Sequence, residues 1–396
     1  MNEIALMMAC ARVCVDQETE KRIRLLAGGR IDWDQFVNMS IRHKVLPLVF
    51  QNLSLICKDS FPENLKNRLE TTYIFENSVH NLSLVEQLFV ILDLLKKKQI
   101  TAVPFKGPVL AENVFGDITL RRYLDLDILI SKKDAVKAVD VLMEKGFMPE
   151  KGALPEGKGK KPYLEKLVAV SLVHPKTHLS IDLQWDISNR FSNVPILLED
   201  MEPRIEQVVL HKKHVPSLPP EELLCYLCIH GTKHRWLILD LVCCISELIR
   251  ARKDIDWHYT QNFAKKIHCT TVLFLGLCLS RDLLRAKLPD HINKRIDQSK
   301  AVKGLAEKVY DGLFSNYMET MITPEKFDPF LFRVKDRFQD KILYCMKVLF
   351  IPSKEDLRVF PLPETLSFIR YLLRPARLIT EYGKRSVRRR VKYIQK

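Results

Sequence analysis

Two short β-compatible runs, Ile100 to Phe105 and Leu126 to Ile130, interrupt a chain whose apolar residues otherwise recur at helical spacing. The first ends at Lys106-Gly107-Pro108, punctuation that stops a strand and starts a helix at the proline. The second is followed by Ser131 with Asp134 three residues on, then Val136, Val139, Leu142 and Met143, and finally Gly146. That pattern predicts a helix capped by Ser131 and closed by glycine. The order strand, helix, strand, helix sets a sheet domain inside a mostly helical chain.

Upstream, Trp33, Phe36 and Val37, then Leu82, Val85, Leu88, Phe89, Leu92 and Leu95, predict helices from Asp16 to about Gln99. Downstream, Leu167 to His174 and His178 to Trp185 flank Pro175-Lys176-Thr177 and read as a hairpin. In its second strand Leu179, Ile181, Leu183 and Trp185 alternate with Ser180, Asp182 and Gln184, so Asp182 points away from the apolar face. Glu150 to Lys166, with three glycines and five lysines, reads as a mobile loop. After Pro219-Pro220 the pattern is helical over Glu221 to Ala251, Phe263 to Leu288 and Lys300 to Met321. Ile351 to Pro363 reads as a connector, and the tail Lys384 to Lys396 is basic without one acid. The expectation is an α+β chain in four parts: a helical region 1–99, a mixed-sheet domain 100–218, a helical lobe 219–350, and a connector, final helix and basic tail over 351–396.

The 396 residues carry 63 Lys and Arg against 48 Asp and Glu, a net charge of +15, which favours polyanions such as nucleotides, nucleic acid or anionic headgroups. The ten cysteines lie mostly in apolar periodic segments, as reduced core thiols do, and no structural disulfide is expected. The longest uncharged apolar stretch, Thr270 to Ser280, falls short of the roughly 20 residues of a spanning helix, so no membrane span is expected. Glu3 stands where a secretory signal carries basic charge, which leads to the expectation of a cytoplasmic protein.

The candidate chemistry lies in Lys106-Gly107, Arg121-Arg122 and Asp125-Leu126-Asp127. Two aspartates two apart on a strand present both carboxylates on one face. Such hard oxygen ligands suit Mg²⁺ or Mn²⁺ and, through the ion, the phosphates of an NTP. A pair of exposed acids at the start of a strand is the ordinary alternative. Lys106 beside the glycine turn is placed as a point charge for a triphosphate, and Arg121 or Arg122 stands near enough in sequence to reach a phosphate. Cys225-x2-Cys228-x-His230-x3-His234 lacks the usual finger spacing and reads better as helix packing than as a zinc site.

The segments PFKGPVLAENVFGDITLRRYLDLDILI, IDLQWDI, LLCYLCIHGTKHRW and FPLPETLSFIRYLLRPARL, with His43, Val45, Pro47 and Leu48 near the N-terminus, resemble the DNA polymerase beta-type nucleotidyltransferase superfamily. Within it they are most similar to the branch of bacterial uncharacterised nucleotidyltransferases. The resemblance implies that Asp125, Asp127 and Asp182 bind metal and carry catalysis, and that Lys106, Gly107, Arg121 and Arg122 handle the nucleotide. It further implies that His230, Lys233 and His234, one polar stripe at i, i+3 and i+4, face the nucleotide or the acceptor. Two departures stand out. Lys106-Gly107 replaces the superfamily's Gly-Gly or Gly-Ser turn, and Gln184 stands where many relatives carry histidine. The implied activity is Mg²⁺-dependent transfer of a nucleotidyl group from an NTP to an unidentified acceptor with release of pyrophosphate, and this branch travels with biosynthetic clusters. A non-catalytic nucleotide or polyanion binder is the second reading, and a metal-dependent glycosyltransferase using DxD the third. The basic tail offers a polyanion contact.

Overall fold

The structure, a computed structural model, describes residues 2–149, 164, 167–188, 193–314, 327–352, 356, 359 and 368–380. The glycine- and lysine-rich segment from 150 to 166, Leu164 apart, and the basic tail lie outside the described residues. So does most of the 351–363 connector. The chain divides into two compact units, Met1–Ser315 and Asn316–Lys396, a boundary that falls inside the segment read as one helical lobe.

The first unit opens with helices α1 (Asn2–Cys10), α2 (Gln17–Ala27), α3 (Trp33–Arg42) and α4 (Leu46–Ile56). Asp16 and Asp32 cap α2 and α3 by accepting the backbone N–H groups of Thr19 at 2.8 Å and Gln35 at 2.9 Å. The continuous helix α5 (Glu63–Lys97) carries one π turn at Glu70–Ile74. By length and composition alone α5 is long and apolar enough to cross a membrane, a test that a buried core helix also passes. Its Leu84, Val85, Leu88, Ile91 and Leu95 are buried in the core against the sheet.

Strands β1 (Ala102–Pro104), β2 (Asp125–Ile130), β3 (Met148–Pro149), β4 (Ala169–Val173) and β5 (Ser180–Gln184) form one mixed sheet in the order β1-β2-β5-β4-β3. Only β2 and β5 run parallel, and their register sets Asp127 opposite Asp182. Helices α6 (Gly107–Phe115) and α7 (Ala135–Glu144) follow β1 and β2, as the strand, helix, strand, helix pattern requires. Alternation sends Leu126, Ile128, Ile130, Ile181 and Leu183 into the core with α5 and α7. The opposite face of β2 and β5 carries Asp125, Asp127, Asp182 and Gln184.

Ser131 does not cap α7. Its hydroxyl bonds Glu199, and a 3₁₀ turn at Lys132–Asp134 leads into the helix instead. A two-stranded hairpin, β6 (Glu206–Leu210) and β7 (Lys213–Ser217), precedes the helical lobe and was not anticipated. The lobe comprises α8 (Pro220–Lys233), α9 (Leu239–Ala251), α10 (Trp257–Lys266), α11 (Thr270–Leu284), α12 (Asp290–Gln298) and α13 (Lys300–Leu313). Helix α11 covers only part of the predicted Phe263 to Leu288 helix, whose start belongs to α10. The buried Trp236 ring fills the space beside two glycines. A Cβ on Gly231 would lie 2.4 Å from that ring, and one on Gly276 3.2 Å from it.

The second unit, by itself, contains α14 (Pro329–Arg333), α15 (Phe338–Phe350) and a helix over 369–380. Buried Arg374 donates to the Val348 carbonyl at 2.8 Å and pairs with buried Asp356, which Arg377 also contacts at 2.5 Å.

Candidate active site

Gly107 is where the backbone turns from β1 into α6, and its φ of +53° falls in the left-handed region. A side chain there would also bring Cβ to 3.2 Å from the Asp125 carbonyl, so glycine lets this turn lie directly against the acidic strand. The loop that enters the strand from the other side is held by polar residues of α5. Asn81 donates to the carbonyls of Ile118 at 2.6 Å and Arg121 at 2.8 Å, Asn77 donates to that of Thr119 at 3.0 Å, and the His80 ring lies 3.2 Å from that of Tyr123. Both ends of the acidic motif are therefore fixed by contacts distant in sequence.

Asp127 is buried. Its Oδ1 accepts from Gln184 Nε2 at 2.9 Å, and Lys106 Nζ lies 2.9 Å from its Oδ2. Gln184, two positions beyond Asp182 on β5, is thus a neutral donor to the acid. Burial works against the Lys106 charge, but Asp127, Tyr226 and Asp125 outweigh it and hold the ammonium more firmly protonated than a free lysine. Asp125 is half-buried, and burial together with Asp127 pushes its carboxyl up despite Lys106 and Arg121. Asp182 is pushed up by burial and by the two other acids, against a 2.5 Å hydrogen bond from Ser171 Oγ.

A cavity of about 280 Å³ opens beside these groups. It brings together Lys106, Gly107, Arg121, Arg122, Asp125, Asp127, His230 and His234 of the expected residues. Lys233 and Asp182 do not line it. Asp182 instead sits beside Asp127 through the strand register. From α8 the cavity is lined by His230 and, at the helix's C-cap, His234. Rings pack from Phe105 to Tyr226 at 5.0 Å, on to His230 at 5.8 Å and to His234 at 4.6 Å. Desolvation and nearby cations push His230 well down and His234 down to about 4, so both imidazoles are neutral at pH 7.

The two arginines differ sharply. Arg121 is buried in a bidentate pair with Asp240, at 3.1 and 2.9 Å, and Asp240 holds its charge in place against burial. Exposed Arg122 lies over the Tyr73 ring at 5.1 Å and stays available at the rim. Asp240 is positioned in turn by His43, whose carbonyl accepts the Asp240 N–H at 3.2 Å while its Nδ1 accepts the Leu239 N–H at 3.2 Å. Lys44, the next residue, lines the cavity with φ +58°. The sequence reading noted the His43 motif without Lys44, and missed Tyr226 and Asp240. A polar residue one helical turn before His230 was the available signal for Tyr226.

Cys225 and Cys228 are buried and lean toward the carbonyls of Thr260 and Leu273, each at 3.9 Å, whereas His230 and His234 meet the cavity. Among the described residues, no group of three or more His, Cys, Asp or Glu is arranged to hold a metal ion. The Asp125 and Asp127 pair nonetheless fits a hard divalent cation. Magnesium commonly takes one or two carboxylates and completes its shell with water and substrate phosphates. The mutual repulsion of these acids is what a cation relieves, and buried Asp127 Oδ2 accepts no hydrogen bond of good geometry despite the nearby Lys106.

The sequence model of the family described as uncharacterised nucleotidyltransferase matches residues 29–285. Among solved structures, the crystal structure of an antigenic nucleotidyltransferase-like protein from Paracoccidioides brasiliensis is similar over 54% of this chain and 95% of that chain, at 13% identity and a TM-score of 0.29. No curated protein matches the chain.

Proposed function

The chain belongs to the uncharacterised nucleotidyltransferase family, and from that premise we propose that it moves a nucleotidyl group from an NTP to an acceptor. Pyrophosphate is the leaving group. One observation carries the reading: the acid pair Asp125 and Asp127, the glycine turn at Gly107 and the Lys106 ammonium meet at one cavity whose rim carries Arg122 and Lys44.

Asp125 and Asp127 would hold Mg²⁺ or Mn²⁺, which when bound supplies positive charge at the phosphates. Lys106 lies 2.9 Å from Asp127 Oδ2 and has further N–H donors for a phosphate oxygen. Neutral His230 and His234 offer hydrogen bonds to the substrate without adding charge. As the acceptor hydroxyl attacks the α-phosphorus, an O–P bond forms, the bond to pyrophosphate breaks, and the hydroxyl proton passes to Asp182. The raised proton affinity of Asp182 suits it to that base role.

The Lys106 to Asp127 ion pair favours a second reading, a binder without turnover, because it engages one oxygen of the metal-binding pair. A pyrophosphate-release assay with the four NTPs and fractionated lysate as acceptor source separates the two. Transfer that requires Asp127 supports the enzyme. NTP binding with no release in any fraction supports the binder.

A further inference from the structure

A second cavity of about 400 Å³ in the first unit has a chemistry the nucleotidyl-transfer reading does not use. It forms where the segment after α1 meets the last turn of α9 and the residues following α11. Five cations line it: Arg12, Arg250, Lys253, Arg285 and Lys287. The single lining acid, Asp16, is committed to capping α2.

Two of the cations already have partners. Arg250 pairs with Glu247, and Arg285 with Glu18 at 2.7 Å. The other three have no carboxylate partner among the described residues. Arg12 is 6% exposed, and among the described residues its only hydrogen bond to a side chain is a 3.4 Å contact to neutral Thr19 Oγ1. Its Nε is buried without an acceptor among the described residues. Burial and Arg250 both act to lower its proton affinity, against Glu247 and Asp16, which places the guanidinium in a field short of negative charge. A buried cation without an anion is unfavourable, so a cluster of this kind gains by taking one up.

The backbone that presents Arg12 is built, not loose. Asn52 donates to the carbonyls of Cys10 at 2.8 Å and Arg12 at 2.7 Å, and Cys243 Sγ reaches that of Ala11 at 3.5 Å. No aromatic side chain among the described residues lines the cavity, so it lacks the stacking surface of a single-strand nucleic-acid groove. We propose that this cavity is a second anion site, holding the phosphate group of a compact phosphorylated molecule. It lies at the far end of α9 from the candidate active site: Asp240 and Leu241 line one cavity, Ile249 and Arg250 the other. Eight to ten residues of helix separate these lining residues, roughly 12–15 Å along the axis.

Cys14 lines the cavity and is exposed, so its thiol reports occupancy. The full chain, kept in chelator, is treated with N-ethylmaleimide against inorganic phosphate, pyrophosphate or ATP, and modification of Cys14 and Cys345 is followed by peptide mass spectrometry. At least one of the three anions is expected to slow Cys14 saturably while leaving Cys345 unchanged. Replacing the exposed pair, Lys253→Gln with Lys287→Gln, is expected to raise the half-protecting concentration by about tenfold or more, the scale of lost charged hydrogen bonds. Lys106→Ala is expected to leave it unchanged. Protection by none of the anions, or protection that survives the double substitution, overturns the proposal and leaves these cations as partners of the nearby helix C-termini. Protection lost in Lys106→Ala overturns it too, because the signal then comes from the other cavity.

Discussion

At Lys106 an ammonium is buried against one carboxylate, Asp127, and that same carboxylate is bonded on its other oxygen by Gln184. Removing the cation leaves an uncompensated buried charge, a change that typically costs about 3–5 kcal/mol. Lys106→Ala is therefore expected to lower the urea midpoint and to weaken NTP affinity by about tenfold or more, read by calorimetric titration. An unchanged affinity would mean that Lys106 serves Asp127 alone. Gly107→Ala must place a side chain at φ +53° and 3.2 Å from the Asp125 carbonyl, with an expected loss of about 1–2 kcal/mol in chemical denaturation. A stability equal to wild type would show that the turn relaxes freely. The carboxylate pair, the glycine turn and Lys106 were legible in the sequence because alternation and local punctuation are short-range rules. The bond from Gln184 to Asp127 was not, since it depends on the parallel register of two strands over fifty positions apart. Lys233 was expected on the cavity stripe from its i, i+3 spacing, but of that stripe His230 and His234 line the cavity and Lys233 does not.

Helix α9 organises the site through its first turn. Asp240 holds Arg121 in a buried bidentate pair, and the His43 segment fixes both Leu239 and Asp240. Asp240→Ala would strand the Arg121 charge in the interior, and an expected destabilisation of about 3–5 kcal/mol follows. Arg122→Ala, on the exposed rim, is expected to change stability by less than about 0.5 kcal/mol. Equal effects in denaturant titrations would contradict the division of roles between the two arginines. Nothing near Arg121 in the sequence names Asp240, 119 positions away, so two adjacent arginines read alike until the fold separates them. The hairpin of β6 and β7 was hidden for a local reason. Its turn residues, His211 and Lys212, both adopt positive φ, at 45° and 68°, without the Gly or Asn that usually marks such a turn.

Across the molecule, the α+β architecture was legible because helical and strand periodicities change at Gln99 and again near Pro219. The two-unit division was not, since it rests on contacts within the fold and not on local periodicity. Buried histidines also tie stability to pH. Burial and Arg42 push His43 down to about 4 from an ordinary 6.5, so its folded form resists a proton that the unfolded chain accepts. Its stabilising contribution is fully present above pH 6.5 and is lost as pH falls toward 4. The stability advantage of wild type over His43→Gln is thus expected to shrink by about 1–3 kcal/mol between pH 7 and pH 4.5, measured by urea unfolding. An advantage that stays constant would mean that His43 titrates normally. The role of Asp125 and Asp127 as a joint site for a divalent cation and nucleotide phosphates is tested most directly by Mn²⁺ binding, followed by electron paramagnetic resonance with and without each of the four NTPs. Wild type is expected to bind the ion more tightly with at least one NTP present. Asp125→Asn and Asp127→Asn, both still folded by circular dichroism, are each expected to lose about tenfold or more of that affinity. Ion binding that ignores every nucleotide, or that survives in both variants, would contradict it.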